Sequence, residues 1–130
     1  MNTSTKAART TVNPKMEQRL DVILDSIRDI KGKNIVRLDL RKLDDRPAEF
    51  FFICEGESST QVRAIAENVQ KRMKQEMGEY TKNTTGSRPA NWVCLDYFDT
   101  VVHVFYPETR AFYQIEDLWS DGIAKEFESL

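Results

Sequence analysis

The stretch WVCLDYFDTVVHVF, residues 92–105, contains two runs of β-branched and aromatic residues that meet near Phe98. Their spacing predicts a β-hairpin that pairs Trp92 with Phe105 and continues in step toward the turn. Side chains of a strand point alternately to opposite sides of a sheet, so each face of this hairpin collects every second residue. The two faces differ sharply in chemistry.

One face of the hairpin is wholly aliphatic, and we expect it to lie in the core beneath helices. It consists of Val93, Leu95, Val102 and Val104. The opposite face mixes aromatic, acidic and imidazole side chains. It consists of Trp92, Cys94, Asp96, Val101, His103 and Phe105. Aromatic anchors with a few polar groups are typical of a binding surface.

An alternative explanation of the mixed face is that a C-terminal segment covers it. Tyr113, Leu118 and Trp119 could supply the apolar cover. An Asp beside a His is rare in a core, whereas two aromatic rings are rare on a plain solvent-exposed face. The residues alone leave both explanations open.

Two amphipathic helices precede the hairpin. Asn13 and Pro14 are typical of a helix start, and apolar residues at helical spacing extend to Ile30, where Lys31-Gly32 predicts a left-handed cap. A second helix begins with a capping box, in which Ser58 accepts from the Gln61 N–H and Gln61 reaches back to Ser58. It is predicted to end at Gly78.

The segments between these helices predict strands. Residues 36–40 alternate apolar and charged side chains, and residues 50–54 form a continuous apolar run. A short edge strand is predicted near 80–84, and a helical turn from Pro107 to Tyr113. The order of elements predicts an α/β fold, a mixed β-sheet with helices packed on it.

Composition restricts the class of protein. At 130 residues and 40% hydrophobic content, the chain predicts one domain with a core. A net charge of −2 disfavours a protein that binds DNA or RNA mainly through phosphates. We expect no direct DNA binding, no membrane span and no secretory signal. Cys54 and Cys94 lie in apolar runs, as expected of free thiols in a cytoplasmic protein.

The chain divides into three predicted parts. Residues 1–13 are a flexible arm, residues 14–121 are the folded domain, and residues 122–130 are an acidic C-terminal tail. Residues 107–130 are acidic overall, which suits a basic protein partner, although a solvated tail explains the same charge.

No catalytic, cofactor or metal-binding motif is apparent. The lone His103 is predicted to be structural. An enzymatic alternative would use Gly56–Ser59 at a helix start for phosphate, with Asp96 or Asp99 binding a metal ion. Helix capping and turn formation explain these residues more simply. We therefore expect no enzyme, cofactor or metal site.

Three stretches together resemble one known family. They are ICEGESSTQVRAIAENV (53–69), WVCLDYFDTVVHVF (92–105) and RAFYQIEDLWSD (110–121). In order and spacing they are similar to the ribosomal silencing factor (Iojap-like) family, across residues 14–121. The resemblance implies a fold like that of nucleotidyltransferases without their catalytic carboxylates.

The resemblance also implies a partner and an action. Family members bind the large ribosomal subunit through large-subunit ribosomal protein fourteen, block joining of the small subunit and repress translation in starvation or stationary phase. Trp92, Asp96 and His103 match the family's motif. With their neighbours they give our predicted partner-binding residues: Trp92, Asp96, His103, Phe105, Tyr113 and Trp119. A homodimer built on the same hairpin face is a third hypothesis.

The sequence departs from the family pattern at two places. Phe98 stands where relatives usually have Gly, and Phe disfavours the positive φ of a tight turn. We therefore expect a wider hairpin tip. The spacer before Trp92 contains Thr85-Gly86 and Pro89, which leaves the conformation of residues 84–91 open.

Overall fold

The computed structural model describes residues 12–86 and 90–130, and these residues form one six-stranded mixed sheet. The strands are β1 (Lys33–Asp39), β2 (Phe50–Glu55), β3 (Asn83–Gly86), β4 (Trp92–Asp96), β5 (Thr100–Phe105) and β6 (Ile123–Phe127). Their spatial order is β3-β4-β5-β2-β1-β6. Only the β2–β5 pair, among these described strands, is parallel. The predicted α/β fold with a mixed sheet is confirmed.

Four helices accompany the sheet in the described part of the chain. They are α1 (Pro14–Asp29), α2 (Ser59–Arg72), α3 (Pro107–Tyr113) and α4 (Ile115–Leu118). A π-helical turn, Met73–Met77, continues α2. None of the helices in residues 12–86 and 90–130 has the length and apolarity that a membrane span requires.

Both predicted helix starts are confirmed by their hydrogen bonds. The Met16 N–H donates to Asn13 Oδ1 at 2.8 Å, and Pro14 occupies the first helical position. The Gln61 N–H donates to Ser58 Oγ at 3.1 Å. The Gln61 side chain accepts from the N–H of Glu57, at 2.6 Å, instead of from Ser58 as predicted.

The end of α1 corrects one prediction. Lys31, with a φ of 62°, takes the left-handed conformation that was assigned to Gly32. A Cβ on Gly32 would lie 2.4 Å from Ile27 Cγ2, so this glycine is needed for close packing. Gly78, with a φ of 66°, ends the second helix as predicted.

The sheet has a core on each side. Helices α1 and α2 cover one face, where the buried side chains include Ile23, Ile27, Phe52, Val62, Ile65 and the aliphatic hairpin residues. The opposite face carries a smaller core of Leu38, Leu40, Phe51, Ile53, Val101, Phe105 and Ile115, with Trp92 and Trp119 packed against it. Ile115 and Trp119 belong to the α4 region, so the C-terminal segment covers part of the mixed face.

Strand β6 shows that the predicted acidic tail was wrong for residues 123–127. This strand pairs antiparallel with β1, from Ile35 opposite Phe127 to Asp39 opposite Ile123. In this strand Phe127 is partly buried, and the other four side chains are exposed. Backbone hydrogen bonds therefore place an edge strand here that has almost no hydrophobic pattern.

Two other predicted segments fall at the limits of the described residues. Residues 1–11 of the predicted arm lie outside them, and Val12 packs against the helix-covered core. The edge strand predicted near 80–84 is present as β3 at 83–86. Residues 87–89 of the spacer before Trp92 also lie outside the described part.

Candidate functional site

The hairpin of β4 and β5 has the predicted register. Trp92 lies opposite Phe105, Cys94 opposite His103, and Asp96 opposite Val101. Val93 and Leu95 are buried on the helix-covered side, as predicted. Because strand side chains alternate, Trp92, Cys94 and Asp96 lie on the other side, where each is half-buried.

The tip of the hairpin is tight, contrary to the wider turn that we expected. Phe98 adopts a φ of +82°, and the Asp99 N–H donates to the Tyr97 carbonyl at 3.0 Å. Asp96 Oδ1 accepts from the Phe98 N–H at 2.7 Å. Phe98 therefore occupies a left-handed conformation that costs an ordinary residue about 1–2 kcal/mol.

Trp92 is the centre of an aromatic cluster on this face. Its ring stacks on Phe105 with a centroid distance of 4.8 Å, and Tyr113 of α3 lies 4.9 Å away. The indole N–H donates to His103 Nδ1 at 3.2 Å. Phe105, Tyr113 and His103 therefore each contact the indole, and together they favour a single orientation of the ring.

His103 is a buried, neutral imidazole. Burial lowers its pKa to about 4, and Phe51 meets its ring edge-on at 4.7 Å. Because Nδ1 accepts from Trp92, the ring proton resides on Nε2. Nε2 has no hydrogen-bond partner within the described residues. These contacts assign His103 a structural role, as predicted.

The predicted partner-binding residues separate by depth. Phe105 is fully buried and His103 is 7% exposed, so the prediction that they contact a partner directly is wrong for this structure. They lie under Trp92 because the C-terminal segment and β2 close over them. Trp92, Asp96 and Trp119 are half-buried, and Tyr113 is 51% exposed.

Two further apolar side chains are exposed; Phe112 was not singled out from the sequence, and Leu118 was named only as a possible cover of the mixed face. Phe112, beside Tyr113, is 79% exposed, and Leu118 of α4 is 73% exposed. Helical spacing could have revealed them, because the inward positions of α3 and α4 belong to Arg110 and Ile115. We define the aromatic surface as Trp92, Phe112, Tyr113 and Leu118. Glu108, Asp117 and Asp121 are exposed on the same segment.

Arg110 fastens this segment to the sheet. Arg110 is 8% exposed, and its guanidinium donates to the Asn34 carbonyl at 2.6 Å. It forms ion pairs with Glu55 of β2 at 3.1 Å and with Glu116 of α4 at 2.7 Å. One side chain therefore joins α3, α4 and two strands, and it fixes the position of Tyr113 and Phe112 relative to Trp92.

The residues of the enzymatic alternative have structural partners. Asp99 accepts from Arg19 through both carboxylate oxygens at 2.9 Å, and Ser58 caps α2. Glu57 pairs with Lys33. No group of three metal-ligating side chains occurs in residues 12–86 and 90–130.

Both thiols are free, as expected. Burial raises the pKa of Cys54 to about 12 and that of the half-buried Cys94 to about 11. At neutral pH each sulfur therefore carries its proton, and a thiol is a much poorer nucleophile and metal ligand than a thiolate.

Comparison with known proteins points to one family. Residues 13–130 match the family described as ribosomal silencing factor during starvation. The chain is 37% identical over 114 residues to ribosomal silencing factor RsfS of Halalkalibacterium halodurans, which covers 88% of this chain and 96% of the relative. A crystal structure from Chromobacterium violaceum superposes with a TM-score of 0.75 at 35% identity, covering 80% of this chain and 85% of the other.

A more distant relative carries a name that refers to ribosomes. Mitochondrial assembly of ribosomal large subunit protein 1 of Mus musculus is 26% identical over 104 residues, covering 78% of this chain and 45% of the relative. The family match spans the whole described domain, including β6 and the segment that carries the aromatic surface. The chain belongs to the ribosomal silencing factor (Iojap-like) family.

Proposed function

We propose that this protein binds the large ribosomal subunit through large-subunit ribosomal protein fourteen and thereby blocks joining of the small subunit. Family membership supports a role on the ribosome. The name of the mouse relative refers to the large subunit. Ribosomal subunits that cannot join cannot initiate translation. The protein would therefore repress translation, and we propose that it does so under starvation or in stationary phase.

The aromatic surface supports this proposal most directly. The half-buried Trp92 contacts Tyr113, and Tyr113, Phe112 and Leu118 are exposed apolar side chains of the same C-terminal segment. Such patches on monomeric domains mark sites of association. A half-buried Trp with a fixed orientation is the kind of residue that most often contributes a large share of interface energy.

The charges around this surface suit a basic partner. Glu108, Asp117 and Asp121 are exposed on the same segment as the apolar residues, whereas Arg110 is already paired with Glu55 and Glu116. Ribosomal proteins are basic as a class. Complementary charge accelerates association and fixes orientation more than it adds affinity.

The action requires only steric exclusion. An interface of standard size buries on the order of 1,600 Å² in total, which this small domain can supply. We assign no catalytic step to the protein, and we place it in the cytoplasm with its ribosomal partner. A homodimer formed through the aromatic surface would compete with ribosome binding.

Sedimentation with separated ribosomal subunits tests this function. We expect the protein to pellet with large subunits and not with small subunits. Leu118→Ala and Leu130→Ala form a matched pair, because the two leucines are 73% and 71% exposed. Leu118→Ala should lower large-subunit affinity by at least about fivefold, equal to about 1 kcal/mol, and Leu130→Ala should leave it unchanged. Equal binding to both subunits, or to neither, would refute the proposal.

A further inference from the structure

A second surface, remote from the aromatic surface, alternates basic and aromatic side chains. The exposed side of α2 carries Arg63 and Lys71, with Glu67 between them, and continues into Lys74 of the π-helical turn. Residues 63 to 74 span about 16 Å of helix, and their spacing keeps them on one side of it. Beyond the helix, the same side of the molecule continues into Tyr80 and Lys82.

The aromatic members of this surface are exposed, and each has a lysine over its ring. Tyr80 is 67% exposed, with Lys74 Nζ 5.8 Å from its ring centroid. Phe98 is 72% exposed, with Lys82 Nζ 4.2 Å from its centroid. We define the basic-aromatic surface as Arg63, Lys71, Lys74, Tyr80, Lys82 and Phe98.

Phe98 is the most informative member. It holds a φ of +82° at the hairpin tip, a conformation that glycine would adopt without strain. Its ring is largely in solvent, so core packing does not compensate for the strain. A strained backbone that packing does not explain is typical of residues retained for binding.

Three carboxylates near the tip already have partners. Glu79 and Asp99 both pair with Arg19, at 2.8 and 2.9 Å. This shared guanidinium also brings the neighbours of Tyr80 and Phe98 to one end of the sheet. Asp96 accepts from the Phe98 N–H. Lys74 and Lys82 are the cations that lie over the two exposed rings, and Glu67 is an exposed carboxylate farther along the helix.

We propose that the basic-aromatic surface binds a single-stranded segment of RNA. Nucleobases would stack on Phe98 and Tyr80, and Lys74 and Lys82 would contact the phosphates beside them, the combination that sequence-tolerant single-strand binders use. Phe98 also borders a cavity lined by Asp44 and Glu49, whose charges repel phosphate. The strand therefore approaches from the Lys82 side.

The helical part of the basic-aromatic surface and the aromatic surface lie on opposite sides of the sheet, whereas Phe98 lies at the hairpin tip. The exposed side of α2 points away from the helix-covered core, whereas Trp92 lies on the other face. RNA and a protein partner can therefore be bound together. The net charge of −2 limits binding that depends on phosphates alone, but stacking on aromatic rings depends much less on charge. This inference goes beyond the proposed function and can fail separately from it.

Fluorescence anisotropy with a labelled single-stranded RNA of about a dozen nucleotides tests the proposal, with a duplex of the same sequence for comparison. We expect the single strand to bind with a Kd of roughly 1–100 μM at low salt, and the duplex to bind more weakly. Absence of binding at about 100 μM protein would overturn the proposal.

Phe98→Gly separates a binding role from a structural one. Loss of the stacking ring should lower RNA affinity at least about fivefold, while relief of the strained φ should leave Tm unchanged or raise it. A fall in Tm with unchanged RNA affinity would show that Phe98 is structural and overturn the assignment.

Lysine variants test the phosphate contacts. Lys74→Gln with Lys82→Gln should reduce the slope of log K against log salt by about 1.4, or about 0.7 for each lost contact. Lys125→Gln is the matched control, because Lys125 also lies over an aromatic ring, 5.3 Å from Phe127, but on β6. It should leave the slope unchanged; an equal reduction would mean that binding is diffuse.

Trp92→Ala distinguishes this proposal from the proposed function. This variant should lose affinity for the large subunit and keep its affinity for the RNA. Loss of RNA binding in Trp92→Ala would place the RNA on the aromatic surface and overturn the assignment made here.

Discussion

The indole N–H of Trp92 donates a hydrogen bond of 3.2 Å to the buried Nδ1 of His103, across the β4–β5 pair. The histidine is thus the support of the tryptophan and not a second contact residue. Trp92 and His103 then have different roles, since Trp92 is half-buried and His103 lies buried beneath it and holds its orientation.

Trp92→Ala should affect binding more than folding. We expect at least a tenfold loss of large-subunit affinity, equal to 1.4 kcal/mol, and a Tm shift of a few degrees. Leu95→Ala should do the reverse, because Leu95 is fully buried and its truncation costs about 2–5 kcal/mol. Sedimentation and thermal unfolding of both variants check this. If Trp92→Ala melts the domain while its folded fraction binds normally, Trp92 is a core residue.

His103 should make the protein sensitive to acid. Its pKa is about 4 when folded and about 6.5 in the unfolded chain, so between these values the unfolded state binds more protons. Its contribution to stability is complete above pH 6.5 and is lost as the pH falls toward 4. The loss in free energy of unfolding should be about 3 kcal/mol. Urea unfolding of wild type and His103→Asn across this range checks it; parallel pH profiles would contradict the assignment.

Arg110→Met should be strongly destabilising. It leaves the carboxylates of Glu55 and Glu116 without their cation in a poorly hydrated place. We expect a loss of about 2–4 kcal/mol, reduced from the value for fully buried pairs because Glu116 is partly exposed. Arg72→Met is the control, because its partners Asp29 and Glu76 are more exposed, and it should cost at most about 1 kcal/mol. Equal urea midpoints for the two variants would refute this role.

Gly56→Ala should cost more than Gly78→Ala. A Cβ on Gly56 would lie 2.8 Å from the Val62 backbone nitrogen, so β2 and α2 would have to separate. A Cβ on Gly78 meets nothing within 4 Å, and only its φ of 66° is unfavourable. We expect a loss of more than about 2 kcal/mol for the first and about 1 kcal/mol for the second. Comparable losses in thermal unfolding would show that close packing is not the reason for Gly56.

The hairpin register could be predicted because its two faces differ and side chains alternate strictly. A shift of one residue would have placed Leu95 in solvent, so only one pairing suited the sequence. Helix starts were predictable for a similar reason, since Asn13 and Ser58 satisfy local N–H groups. These signals lie within a few residues of the structure that they specify.

The features that sequence analysis missed depend on distant contacts. Phe105 was assigned to the surface, but α3 and α4 bury it. Arg110 holds these two helices in place, and no periodic pattern in a sequence reveals that an arginine is buried. Strand β6 was missed because its side chains contribute little to a core. Phe98 was expected to widen the turn, yet it adopts a φ of +82° and the turn stays tight.

The pairing of β6 with β1 also constrains how the protein is made. Ile35 pairs with Phe127, so the last ladder of the sheet joins segments roughly ninety residues apart. During synthesis, β1 emerges from the ribosome long before its neighbour exists, and its outer edge stays unpaired meanwhile. A nascent copy cannot complete its sheet until residues 123–127 have left the exit tunnel.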